Sequence, residues 1–147
     1  MKKDIKIWMS LVVFLLCSCD SGKKIYSSYR IVNNTGYQLE FLIFERTNGT
    51  FVRKIELAQN AGEWVSDKFQ ISEPGGRQIP VKMLLEGDSV RILFNKEKVL
   101  VYSEVYSDRN ILFEENYAKV SIDDTHVVRR YNVTEEDYKN AVLIDNE

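Results

Sequence analysis

What most constrains this chain is its punctuation: segments rich in Val, Ile, Phe and Tyr are interrupted by turn residues every eight to twelve positions. That spacing leaves room for short strands and little else, and it predicts an all-β sandwich or barrel. Tyr29–Val32 is expected to open a strand, turned by Asn33-Asn34-Thr35-Gly36. In Tyr37–Glu45, Leu39, Phe41 and Ile43 share one face, while Leu42 and Phe44 suggest cover on the other side too. Asn48-Gly49 is the strongest hairpin signal, since both residues tolerate the positive φ of a type I′ turn. It leads into Phe51–Leu57, and a Gln-Asn-Ala-Gly turn precedes Glu63–Gln70.

Pro74-Gly75-Gly76 marks a loop over Ser72–Gln78. A tight meander is expected next, with Val81, Met83 and Leu85, then Val90, Ile92 and Phe94, then Val99 and Val101 alternating along three antiparallel strands. Ile111–Phe113 and Tyr117–Ile122 read less clearly as strand, and Asp123-Asp124 turns the chain into Val127–Val133. One helix is expected, at the end. Thr134 can cap it, Glu135, Glu136 and Asp137 suit its positive pole, and Tyr138, Ala141 and Val142 give one apolar stripe. Residues 29–147 are thus expected to form a single antiparallel β-sandwich, Ig-like or related, of seven to nine strands with a short C-terminal helix.

The N-terminus has a different physics. Lys2, Lys3 and Lys6 precede ten mostly apolar residues, Ile7 to Leu16, which is half of what a membrane-spanning helix needs and the length of a signal-peptide core. Leu16-Cys17-Ser18-Cys19 resembles the lipobox of bacterial lipoproteins: Leu16 and Ser18 match the aliphatic and small positions, and Cys19 the modified cysteine. The resemblance implies that residues 1–18 are a signal peptide. Cys19 would then carry acyl chains that insert in the membrane, and residues 19–28 would be a tether. Cleavage would take Cys17 away and acylation would consume the Cys19 sulfur, leaving no disulfide and no thiolate ligand. The 147 residues would shorten to 129, and the net charge would move from −2 to −4 with loss of three Lys and one Asp. That acidity argues against nucleic acid as a partner.

The residues also say which chemistry to discount. His126 is the sole histidine. Ser121, Asp123 and Asp124 lie near it in sequence, but neighbours on one hairpin mostly point apart, and no nucleophile-elbow pattern occurs. Zinc would want three or four His, Cys or acidic ligands. Asp123-Asp124 and Glu135-Glu136-Asp137 are explained by a turn and a helix start rather than by a calcium loop. No metal and no cofactor is expected, and the chain is not expected to be an enzyme. Aromatics are the best candidate contacts. Trp64, Tyr102 and Tyr106 are core residues on the plain reading, and stacking platforms for a sugar or anchors for a protein on the functional one.

Two further resemblances bear on context. Asp88-Ser89-Val90 is similar to the Asp-Ser/Thr-aliphatic sequence that gut Bacteroides use for O-glycosylation of exported proteins, which would make Ser89 the modified residue. Val90–Tyr102 and the ending Tyr131–Ala141, with its Thr-Glu-Glu-Asp-Tyr-x-x-Ala pattern, resemble small Bacteroidetes envelope lipoproteins of unknown function. That resemblance implies a sandwich on an envelope lipoprotein. Asp20-Ser21-Gly22-Lys23-Lys24 lacks their acid-rich surface-export run, which favours the periplasmic side of the outer membrane over the cell surface. The expected function is a lipid-anchored, non-enzymatic module binding a protein or glycan partner. The alternatives are a structural subunit of an envelope assembly joined through edge strands, and a glycosidase working with carboxylates alone.

Overall fold

A computed structural model describes residues 24–45, 47–71 and 79–144. The expected signal peptide, Cys19 and the Pro74-Gly75-Gly76 loop lie outside the described residues. The described chain is an all-β sandwich of two five-stranded sheets. The first holds β1 (Ile25–Asn33), β4 (Glu63–Val65), β5 (Phe69–Ile71), β8 (Ala118–Asp123) and β9 (His126–Val133). The second has the order β10-β7-β6-β2-β3, with β2 at Leu39–Phe44, β3 at Phe51–Leu57, β6 at Ser89–Phe94, β7 at Lys98–Tyr102 and β10 at Val142–Leu143. These ten segments exceed the expected seven to nine, but β9 fills one whole edge of β1. The two short pieces β4 and β5 must therefore share the other edge as one interrupted strand.

The core lies between the sheets. Tyr29, Ile31, Tyr131 and Val133 face Leu39, Phe41, Ile43, Val90, Ile92 and Phe94, all buried. Among the described residues every buried member of this core falls between Tyr29 and Ala141.

Five expectations need correction. The sandwich is not antiparallel throughout, because β1 and β9 pair in parallel from Tyr26↔His126 to Asn33↔Val133. Val81–Leu85 is not a strand but a one-turn helix, α1. Val81 and Leu85, four apart, are buried together while Met83 is 64% exposed, as a helix demands and a strand forbids. In β7 the inward face is Leu100 and Tyr102, opposite Ile92 and Val90, and Val101 points to water. Lys98–Tyr102 is apolar on both parities, so periodicity could not choose the face. Ile25–Ser28, placed in the tether, already belongs to β1. The C-terminal helix α2 (Glu135–Asn140) ends before Val142, which lies exposed in β10.

The turn expected at Asn48-Gly49 is a further correction. At Asn48-Gly49 only Gly49 has positive φ, so this is not a type I′ turn; Glu45 N–H donates to the Thr50 carbonyl and closes a longer loop. Consecutive positive φ values occur instead at Asn60-Ala61 and at Asn95-Lys96, where Glu97 N–H closes on the Phe94 carbonyl.

Candidate functional site

Among the described residues the longest stretch without strand, 103–117, crosses from one sheet to the other and is held by asparagines. Buried Asn110 donates through Nδ2 to the carbonyls of Ser103 (2.7 Å) and Val105 (2.8 Å), and its Oδ1 accepts from Leu112 N–H. Asn116 Nδ2 donates to the carbonyls of Ser107 and Asn110. These bonds replace a ladder, freeing the chain to bury Ile111 and Leu112 while leaving Val105 and Tyr106 exposed.

An open cleft of about 460 Å3 lies between this loop and α1. Pro80, Val81, Leu112 and Phe113 supply its apolar surface, and Glu104, Glu114, Glu115 and Lys82 its charge. Lys82 Nζ lies 2.9 Å from a Glu104 carboxylate oxygen, tying α1 to the loop. Behind it, the Tyr29 hydroxyl sits 3.0 Å from a Glu114 carboxylate oxygen and 3.1 Å from the Ile79 carbonyl. Burial, and then the Glu114 charge, push that phenol well above its ordinary range, so it remains a donor that fixes Glu114. Tyr106 packs edge-on against Phe113 with ring centroids 5.2 Å apart, extending the aromatic surface outward.

The sequence-derived candidates scatter. Tyr106 is 56% exposed at the cleft's border, whereas Tyr102 is a core residue whose hydroxyl is pushed upward by burial. Trp64 is half-buried against the core, and Arg53 lies over its ring at 5.6 Å, occupying the place a stacked sugar would take. Trp64 and Arg53 line a second, smaller cleft of about 280 Å3 with exposed Met83. Ser89 opens β6 opposite Phe44, half-buried. The cleft's own residues Lys82, Leu112, Phe113 and Glu114 were not singled out from sequence; the paired asparagines of an otherwise aperiodic stretch were the available signal.

His126 meets a serine that sequence reasoning did not consider. The parallel pairing brings Ser28 Oγ to 3.0 Å from His126 Nε2. Ser28 is buried, so the pair is a hydrogen bond within the sheet rather than an accessible nucleophile. Burial, then nearby Lys68, hold the imidazole below its usual pKa. Among the described residues no group of three or more His, Cys, Asp or Glu could hold a metal ion, and no helix is long and apolar enough to cross a membrane.

Each sheet edge carries a feature that discourages pairing with another chain. β4, β5 and β10 are two or three residues long, β3 bears Arg53, Lys54 and Glu56, and β8 carries Lys119 and a bulge at Ser121/Asp123. Comparison with protein-family models, curated proteins and solved structures finds no match. The fold and the cleft therefore define no more than a class: a β-sandwich with an amphipathic cleft at a loop-helix junction.

Proposed function

We propose that this chain is a lipid-anchored cell-envelope module that binds a protein or glycan partner without transforming it, and that the cleft beside α1 is where it does so. The carrying observation is the cleft's mixed character: an apolar floor of Leu112 and Phe113 under three glutamates and one lysine. Such a surface suits a segment carrying an apolar group and a cation, a basic peptide or an amino-bearing sugar. Glu104 and Glu114 already hold fixed partners, which supports recognition over acid-base catalysis. The blunted edges count against the structural-subunit reading.

The test is a soluble chain starting at residue 21, applied to a glycan array and to an array of peptides graded in charge and apolarity. Binders should be enriched in cations next to an apolar group. Phe113→Ala with Glu115→Gln should weaken them about tenfold or more, equivalent to about 1.4 kcal/mol. Binders indifferent to those substitutions would place recognition elsewhere. The anchor is checked separately by mass spectrometry of the native protein, where an intact Met1 or an unmodified Cys19 would refute it.

A further inference from the structure

The outer face of the first sheet, turned away from both core and cleft, carries an unusual pairing of charges. On β1 and β9 the even-numbered residues point outward, and parallel register sets Arg30 directly beside Arg130, with Val65 of β4 and Ala118 of β8 completing the row. Neighbouring strands lie about 4.8 Å apart, and like charges facing each other at that spacing are destabilising. Among the described residues Glu63 forms an ion pair with Arg30, 3.5 Å from its Nε, and the Nε atoms of both Arg30 and Arg130 are buried with no hydrogen-bond partner. Farther along the same face, His126 and Ser28 lie beside Tyr26, and His126 senses the positive charges of Lys68 and Arg30.

Apolar side chains are exposed on the same face, Tyr26 at 37%, Val65 at 44% and Val120 at 37%, while Ser28 and Val128 between them are buried and Asp123 lies opposite His126 beyond the β8 bulge. Paired guanidiniums match phosphate oxygens, and tyrosine with aliphatic neighbours suits the boundary between headgroups and acyl chains. The chain's own geometry brings a bilayer within reach. Cys19 precedes Ile25, the first residue of β1, by six positions, and six extended residues span at most about 20 Å.

We propose that this face docks on the bilayer, Arg30 and Arg130 engaging headgroup phosphates while Tyr26 and Val120 enter the interface. The reading of where the chain is held rests on the acylation proposed above. The test does not. A soluble chain from residue 21 is sedimented with phosphatidylcholine vesicles and with vesicles mixed equally with phosphatidylglycerol, in low salt. Preferential binding to the anionic vesicles is expected, and the double variant Arg30→Gln with Arg130→Gln should weaken it roughly thirtyfold, the equivalent of about 1 kcal/mol per arginine. Lys139→Gln, on the helix of the opposite end, should change it little. Because the double substitution relieves repulsion, its thermal midpoint should equal or exceed that of the parent, which separates lost docking from lost folding. No vesicle binding, binding unaffected by the double substitution, or protection by inorganic phosphate alone would each overturn the proposal. None of these would touch the mass of residue 19, so failure here and failure of the anchor are distinct results.

Discussion

Asp137→Asn tests how α2 and the cleft loop are locked together. The Asp137 side chain is only 2% exposed, and it accepts from Thr134 N–H (2.8 Å), from Arg109 Nε (2.7 Å) and from Arg109 Nη2. Arg109 also donates to the Asn132 carbonyl at 2.9 Å and lies over the Tyr131 ring. The loop, β9 and the helix start thus meet at one carboxylate. Asparagine keeps the shape but turns an amide donor toward arginine donors and removes the charge. Breaking a buried pair from one side typically costs 3–5 kcal/mol. Arg109 is 30% exposed and can recover some hydration, which puts the pair at the lower end. With the impaired cap, the expected loss is about 3 kcal/mol, or roughly 10 °C in Tm for a domain of this size. Urea unfolding of a chain starting at residue 21, followed by Trp64 fluorescence, reads it directly, because the one other tryptophan is Trp8. Arg109→Met with Asp137→Leu should be more stable than Asp137→Asn alone, since neither charge is then stranded. A loss below about 1 kcal/mol, or strict additivity in the corresponding cycle, would refute the lock.

Two other outcomes follow from the same coordinates. Gly62→Ala should destabilise by about 2 kcal/mol or more, because an added Cβ would lie 2.3 Å from the Ala58 carbonyl oxygen; Gly36→Ala, with nothing within 4 Å, is the control, and equal urea midpoints for the two would contradict the packing. His126, facing Lys68, Asp123 and Arg30, has its folded pKa below the unfolded value, so folding favours the neutral ring. Its contribution is complete above the unfolded pKa of about 6.5 and declines as pH falls toward the lower folded value. Wild type should therefore lose more stability than His126→Gln between pH 8 and 5, and parallel curves would exclude the effect.

The sequence makes the sandwich legible because one parity of β2 and of β6 is wholly apolar: Leu39, Phe41 and Ile43, like Val90, Ile92 and Phe94, are buried where the pattern put them. Thr134 and Asp137 likewise announce their helix, since a cap is a local event. Failures arise where two periods coincide or where partners are remote. Val81 and Leu85 satisfy both strand and helix spacing over five residues, and only the exposure of Met83 separates them. β7 is apolar on both faces, so its partner chose the register. The parallel β1–β9 pair leaves no local trace, and with it the contacts of Ser28 with His126 and of Arg30 with Arg130 were invisible. The cleft was hidden for a related reason: side-chain bonds from Asn110 and Asn116 set its loop, and such bonds have no period.

The union of the first and last long strands also governs when this molecule can exist. Ser28 and His126, hydrogen-bonded neighbours in the sheet, are 98 positions apart along the chain. A polypeptide emerging from its N-terminus must keep β1 waiting, with one edge unoccupied, until nearly all the rest has been delivered. Closure of so distant a pair is slow compared with hairpin formation. A chain truncated before Val127 would lack β9, and with it a stable first sheet, as well as β10 at the edge of the second. Delivery of β9 is thereby the event that commits the sandwich to its native state.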